Sequence, residues 1–593
     1  MIRLPLIALS FLFLSCNSQE YQITFKVDMT SENTKAVGLR GNIDPLSENK
    51  DYPMNDEDGD GIYEANITFN TSKRNLKFRF TNGMQSELQG SDDRMVWFTP
   101  EPLILEYRYN EYDYYSNEQI NSLTYSKEEI REDIDVLGET LRYIHPNIYK
   151  YIDSVSVQNE LIHLETVINQ HPNITTVYKE VSRFLSKIKC SHTFTNPWNQ
   201  GTAIKKALFF QPDKIPLTFR RIGKRLFVDK NASKSDRLQR GWEINSINGL
   251  PTNEVLDKLA AYITADGNNY EKKLERLLVL EEDKFSLFDI FYPLEFGKPE
   301  EFQLGLSNPS TNDTIEVAVK AISKTHRTKR LIENYGEVKV SFADGWKFDI
   351  LDDKIGFLSI NSFAVEGKDF DWEDFLDTVF EGLNESKATD FIIDIRDNEG
   401  GQLEVVEYLL MRVLQKPFQA PAMMSTVRYE KIPQSFEKNI STWSRVPYSF
   451  KGDYTKYENG RYYLKSKFGA KAKTYIPRKD GFKGKVYLMT SAQNSSATHQ
   501  MATYASMIDG IQLVGSETGG NIKGLNAGML FFLRLPNSKV EIDVPVISME
   551  IPFEDAKNTD RGILPDIPLF NKPTDFLEST DTVLEELLLK IRS

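Results

Sequence analysis

Apolar and polar positions alternate along residues 21–110. YQITFKVDM, KAVGLRG, GIYEANITF and NLKFRFT each place apolar side chains at every second residue, with Asp-, Asn- and Gly-rich turns between them. A period of two marks strands buried on one face, so residues 20–112 are expected to form a β-sandwich. Over 125–205 the period becomes helical. Ser126-Lys127-Glu128-Glu129 reads as a capping box, Ile130, Ile134, Leu137, Leu141 and Ile144 recur on one face, and His145-Pro146 ends the helix. Ile174, Val177, Val181, Leu185 and Ile188 repeat the pattern. Residues 206–325 return to mixed strands with a helix near 253–262, and the charged stretch 326–345 reads as a connector. From 346 to 593 strands and helices alternate. Strands are expected at Ile355–Ile360, Phe391–Arg396, Lys485–Thr490 and Ile511–Gly515, with helices around Asp371–Glu385, at Leu403–Val413 and from Ser496. The fold class is therefore multidomain α+β.

Two of these segments resemble known modules. The strand order and the turns of 20–112 are similar to Ig-like and starch-binding-type modules. Gly241-Trp242-Glu243-Ile244-Asn245-Ser246-Ile247-Asn248-Gly249 resembles the strand and turn of a PDZ domain, which makes 206–325 PDZ-like. Asp56-Glu57-Asp58-Gly59-Asp60-Gly61 suggests a calcium loop, but an EF-hand needs Glu where Ile67 stands. A plain hairpin turn is the expectation, and no metal or cofactor is implied.

The chain opens MIRLPLIALSFLFLSCNSQ. Arg3, a short apolar run from Leu6 to Leu14, and Ser15 before Cys16 resemble a bacterial lipoprotein signal. Residues 1–15 would be removed, and Cys16 would carry lipid at the cell envelope, on the periplasmic side or at the outer membrane. The 593 residues carry 72 Lys and Arg against 86 Asp and Glu, a net charge of −14. A general nucleic-acid binder would be basic, so that class is disfavoured. Two cysteines cannot make a disulfide framework.

Six histidines narrow the search for a base. His145, His163 and His171 fall in or beside the helical segment and read as structural. His192 follows Ser191 in a polar loop past a helix end, where chemistry is better served. Ser496 sits at a strand-to-helix turn whose free amides can hold an oxyanion. Gly400-Gly401 supplies a second turn of unhindered amides.

In this order the segments resemble one family. FIIDIRDNEGG (391–401) is similar to the DLR-x-N-x-GG element of the C-terminal-processing and tricorn-type serine peptidases, VYLMTSAQNSSATH (486–499) to their S-A-S-E nucleophile segment, and RGILPD (561–566) to their closing G-V-x-P-D strand. The resemblance spans roughly 125–593. It implies a crotonase-like ββα peptidase core over 346–593 and peptide hydrolysis through an acyl-enzyme. Ser496 takes the nucleophile position, and the amides of Gly400 or Gly401 and of Ala497 take the oxyanion role. His499 replaces the family glutamate. Asn521 stands where processing peptidases keep a lysine, with Lys523 two residues on. The tricorn-like branch instead uses a Ser-His pair, matched by Ser191-His192, and a carboxylate near the C-terminus, for which Asp560 and Glu554 are candidates. His192 is the expected base; Lys523 and His499 are the alternatives. The expected function is a lipid-anchored serine peptidase acting on peptides or proteins. The alternatives are a silent peptidase-fold protein that binds peptides or glycans, and an anchored scaffold whose N-terminal module binds glycans.

Overall fold

The structure is a computed structural model. It describes residues 19–593 except 31, 74, 89–92, 282, 337–340, 352–353, 466–472 and 551–559, so Cys16, the leader and Glu554 lie outside the described residues. The chain divides into two compact units, Met1–Asp113 and Tyr114–Ser593.

In the first unit, Gln19–Asp28 pairs antiparallel with Ile62–Thr71 and parallel with Leu103–Arg108. A second sheet is built on Val37–Gly41 and Asn75–Asn82. The alternation is visible in the burial: Ile23, Phe25 and Val27 point into a core shared with Phe69, Phe78 and Phe80. Asp56 folds the acidic turn on itself, accepting from the Gly59 and Gly61 amides at 2.8 and 3.0 Å.

In the second unit, three helices come first: Lys127–Ile144, Ser154–Ile168 and Ile174–Ile188. The Ser126–Glu129 capping box is present, and His145 caps the first helix at its C-terminal end. Leu217–Ile222, Arg225–Asn231, Glu243–Ile247, Glu301–Ser307 and Thr314–Lys320 form an antiparallel sheet. The Asn248-Gly249 turn has φ of +50° and +78°, as a tight hairpin requires. Residues 326–345 are not a simple connector. Lys324–Tyr335 is a helix capped by Ser323. Among its residues only Arg327 and Leu331 are buried, so a nearly all-polar sequence hides its single apolar contact. Arg327 grips Asp289 through two bonds of 2.5 and 3.2 Å and donates to the Ile215 carbonyl at 2.8 Å.

The site depends on the next sheet. Its order is Trp346–Leu351, Ile355–Ile360, Asp390–Asp394, Lys485–Thr490, Ile511–Gly515 and Ile567–Pro568, parallel after the first hairpin. Phe391 and Ile393 face one core with helices Trp372–Glu385, Leu403–Val413 and Ser496–Ala505. Ile392 faces the other, under the C-terminal helix Thr582–Arg592. Burial on both faces explains the unbroken apolar run. Because the 390–394 and 485–490 strands are parallel neighbours, with Asp394 opposite Met489, both turn toward their helices at the same sheet edge. Turns 96 to 99 residues apart in the chain thereby meet.

Replacing Arg327 by Ala should cost about 3–5 kcal/mol in denaturant unfolding, because Asp289 stays buried without its partner. Glu333→Ala, on the exposed face of the same helix, should change stability by less than about 0.5 kcal/mol. Equal effects would mean that the helix is held by something other than this ion pair.

Candidate active site

Two turns make the centre of the site. The first, Ile395–Gly401, leaves the 390–394 strand. The second, Ser491–Ser495, leaves the 485–490 strand. Buried Asn494 ties them together: its Nδ2 donates to the carbonyls of Ile395 (2.5 Å) and Asn398 (2.9 Å), and its Oδ1 accepts the Ser491 amide at 2.7 Å. Thr498 Oγ1 adds a bond to the Asn398 carbonyl at 3.0 Å. Asn398, also fully buried, donates to the Ile360 carbonyl at 3.1 Å and accepts the Gly400 amide at 2.9 Å.

Ser495 is the backbone N-cap of the Ser496–Ala505 helix. Its hydroxyl donates to the Glu399 carbonyl at 3.0 Å instead of capping. Ser496 has φ of +51°, a left-handed conformation that side chains with a Cβ adopt at a cost. That bend keeps Ser496 exposed while Ala497, Thr498 and His499 are buried. Ser496 Oγ has no hydrogen-bond partner among the described residues.

The glycine turn is pressed against this bend. Gly400 (φ +122°) leaves no room for a side chain: a Cβ there would stand 3.0 Å from Ser496 Cβ and 3.1 Å from the Ala497 nitrogen. Gly401 (φ +141°) runs against Phe363, with no room for a Cβ either. The sequence left Gly400 and Gly401 equivalent as oxyanion donors, and the structure separates them. The Gly400 amide is committed to Asn398 Oδ1. The Gly401 amide takes no part in the bonds of the Phe363 bridge, which run from Phe363 N to Gly400 O and from Gln402 N to Phe363 O.

His192 lies in the loop after the 174–188 helix and is partly buried. Its Nδ1 is 3.1 Å from Ser191 Oγ. Ser191 in turn donates its hydroxyl to Asp266 Oδ2 at 2.6 Å and its amide to Asp266 Oδ1 at 3.0 Å. With the hydroxyl hydrogen on Asp266, Ser191 Oγ can only accept from His192, which places the imidazole hydrogen on Nδ1 and leaves Nε2 bare. Burial pulls the His192 pKa below its ordinary 6.5; the Asp266 carboxylate opposes this, and Arg276 and Lys272 add to it.

Asp266 begins the segment that joins the histidine loop to the serine turn. Lys272, buried in the following helix Tyr270–Glu275, bonds Glu399 Oε1 at 2.9 Å and the Gln493 carbonyl at 3.0 Å, one contact on each turn. Asn269 caps that helix and donates to the carbonyls of Thr518 and Gly520 at 2.7 and 3.1 Å.

Residues 354–569 match the model of peptidase family S41. This stretch is an S41 serine-peptidase domain. Among solved structures, mature CPAF complexed with lactacystin is similar at 14% identity and a TM-score of 0.52, over 78% of this chain and 97% of that one. A second structure of mature CPAF gives 15%, 0.52, 78% and 96%. The photosystem II D1 C-terminal processing protease gives 12% and 0.35, over 77% of this chain and 95% of that one. At such identities the CPAF likeness is one of fold. No curated protein matches the sequence.

Within and beside the S41 domain, the other expected site residues take different places. Asp560 was expected to hold the second nitrogen of His192. It does not: its carboxylate lies 3.6 Å from Lys523 Nζ, and its carbonyl accepts the Asn268 amide at 2.7 Å. The Ser191 hydroxyl occupies His192 Nδ1, and Asp266 stands behind it. Lys523, two-fifths exposed and ion-paired with Asp560, lacks the burial that a lysine base requires. His499 lies on the buried side of the helix, with Nδ1 2.9 Å from Thr518 Oγ1 and Gly520 packed on its ring, and burial lowers its pKa. Thr518 also exchanges bonds with Ile563, so RGILPD docks behind the Ser496–Ala505 helix. Cys190 is buried, its thiol pushed up to about 12 by desolvation.

Asp266 and Lys272 were missed because ADGNNYEKK reads only as a turn and a capped helix. Nothing in it points to Ser191, 75 residues earlier.

Ser496→Gly should be more stable than Ser496→Ala by about 0.5–1 kcal/mol, the left-handed penalty of about 1–2 kcal/mol less the extra entropy of an unfolded glycine. Urea unfolding of both variants checks this. A more stable alanine variant would show that the bend is not strained.

Proposed function

We propose that this protein is a serine peptidase of the tricorn-like branch in which Ser496 is the nucleophile, His192 the general base, and Ser191 and Asp266 the groups that orient the base. The observation that carries this reading is the exposed, left-handed Ser496 at a helix N-terminus, pressed against the Gly400-Gly401 turn inside an S41 domain.

Catalysis begins when His192 Nε2 takes the Ser496 hydroxyl proton as Oγ attacks the scissile carbonyl carbon. The carbonyl π pair moves to oxygen, and the amides of Ala497 and Gly401 hold that oxyanion. The tetrahedral carbon collapses, the C–N bond breaks, and the imidazolium gives its proton to the leaving amine. Water, deprotonated by the same histidine, releases the acyl group and returns the proton to Ser496. Asp266 keeps Ser191 pointed so that Nδ1 donates and Nε2 accepts.

In the same reading, 20–112 is an Ig-like β-sandwich, 206–325 is PDZ-like, and 346–593 is a crotonase-like core. Cys16 anchors the chain to the cell envelope through lipid. Substrates are peptides or proteins, and nucleic acid is not a partner.

Ser496→Ala should fold and lose nearly all peptide hydrolysis; undiminished turnover would remove Ser496 from the mechanism. kcat/KM should rise with pH through one ionisation below 6.5, since burial lowers the His192 pKa and only the neutral ring accepts a proton. Asp266→Asn should lower kcat at least about tenfold and move that acid limb to still lower pH, because the charge that raises the His192 pKa is gone. An acid limb above 6.5, or one indifferent to Asp266→Asn, would contradict the assignment of His192 as base.

The anchor has its own test. In a bacterial host that processes lipoproteins, wild-type protein should incorporate labelled palmitate and sediment with membranes, and Cys16→Ala should do neither. Unlabelled, soluble wild type would remove the lipid anchor.

A further inference from the structure

Ser496 belongs to the S41 stretch 354–569, whereas His192 lies outside it. A proton passes between two such side chains only if the His192 loop keeps its register with the serine turn, because a misplacement of about 1 Å can cost a hundredfold in rate. Besides the Asp266 segment, a second set of contacts serves that register. It is made by the paired strands Gly524–Arg534 and Glu541–Glu550, both within the S41 stretch.

These strands start beside the Ser496–Ala505 helix. Gly520 packs on the His499 ring, and the chain runs from there into the first strand. Asn526 in that strand donates to Cys190 Sγ at 3.6 Å, just before Ser191-His192. The second strand takes the next part of the loop. Asp543 is bridged to Phe194, its amide donating to the Phe194 carbonyl at 3.0 Å. Gln200 bonds both backbone groups of Glu541: Nε2 donates to the carbonyl at 2.7 Å, and Oε1 accepts the amide at 3.0 Å. Between Phe194 and Gln200, the loop turns two carboxamides onto the buried Asp543 carboxylate. Asn196 Nδ2 donates to Oδ2 at 2.9 Å, and Asn199 Nδ2 to Oδ1 at 3.1 Å.

This clasp asks for a carboxylate. Asn196 Oδ1 accepts the Trp198 amide at 3.0 Å, so the NH2 end of Asn196 must face Asp543. With Asn199 donating as well, both oxygens of Asp543 meet N–H groups. A carboxylate accepts at both ends, whereas a carboxamide of the same shape would turn an NH2 toward one of the two donors. The other flank of the loop is tied to the helices. Thr193 Oγ1 is 3.0 Å from His145 Nε2, and the Tyr178 hydroxyl donates to the Thr195 carbonyl at 3.0 Å. Asp543 closes the flank that faces the S41 strands.

We propose that Asp543 is a positioning residue of the peptidase, which holds the His192 loop in register with Ser496 by accepting from Asn196 and Asn199. The proposal rests on the peptidase reading above and deepens it. Asp543 acts through His192 and touches none of the reacting atoms.

The test uses the full-length protein and one peptide substrate at about pH 8, where carboxylates are ionised and imidazole is neutral. Asp543→Asn should lower kcat about tenfold to a hundredfold and leave KM within about twofold, since what shifts is the base. Asn199→Asp alone should also lower kcat, by setting two carboxylates against each other. The double variant Asp543→Asn/Asn199→Asp exchanges donor and acceptor, and it should recover most of the lost kcat. In a His192→Ala background, Asp543→Asn should change the residual turnover no further, because both act through one group. Thermal unfolding checks that each variant is folded. If a single variant does not fold, the exchanged pair is compared with wild type: a kcat near wild type supports the clasp, and a deep loss in the folded pair overturns it. An unchanged kcat in Asp543→Asn, an exchanged pair no more active than the single variants, or an equal loss from Asp543→Asn with and without His192 would also overturn the proposal. The first of these, beside an inactive His192→Ala, would leave the assignment of the base intact. An undiminished kcat in His192→Ala would defeat that assignment, and this proposal with it.

Discussion

The carboxamide of Asn494 is the contact on which the site depends. It lies at 0% exposure between two turns that no covalent connection brings together, and it satisfies carbonyls of one turn and an amide of the other at once. Inside a low-dielectric core, a fully bonded carboxamide is rigid, and a half-bonded one is costly. The clasp therefore has one arrangement. It fixes Gly400 against Ser496, and the crowding at Gly400 leaves the serine no way to relax toward an ordinary helical start. The strain at Ser496 is thus local, and what maintains it is the bonding behind it.

The proposed base comes from elsewhere in the chain. Ser191-His192 follows a helix that belongs to a different core from the S41 sheet. Asp266 and the 270–275 helix connect them. One end of this segment holds Ser191, the middle bonds both turns through Lys272, and Asn269 reaches Thr518 and Gly520 beside the Ser496–Ala505 helix. Burial is the main cause that lowers the His192 pKa; from this segment Asp266 raises it, and Arg276 and Lys272 lower it. The same segment therefore holds Ser191 beside His192 and adjusts the proton affinity that burial has already lowered.

What the sequence makes legible follows from range. Strand Ile355–Ile360 and helix Leu403–Val413 are found at the expected residues, because periodicity and flanking turns are local signals. Ser496 and the glycine pair are legible for the same reason: each needs a turn type that its neighbours announce. The 324–335 helix was hidden because its stability comes from Arg327 meeting Asp289, not from an apolar face. Asp266 was hidden because its partner is 75 residues away. The sequence order that favoured Asp560 carried no information on which carboxylate packs behind Ser191; in the fold, Asp560 meets Lys523.

The central claim is that Ser496, and no neighbouring serine, is the nucleophile made reactive by His192. A peptidyl diphenyl phosphonate forms a stable adduct only with a serine activated in this way. After incubation with wild-type protein, tryptic mass spectrometry should find one adduct, on Ser496, at a rate that falls by orders of magnitude in His192→Ala. An adduct on Ser495 or Ser191, or labelling of Ser496 at an undiminished rate without His192, would contradict it.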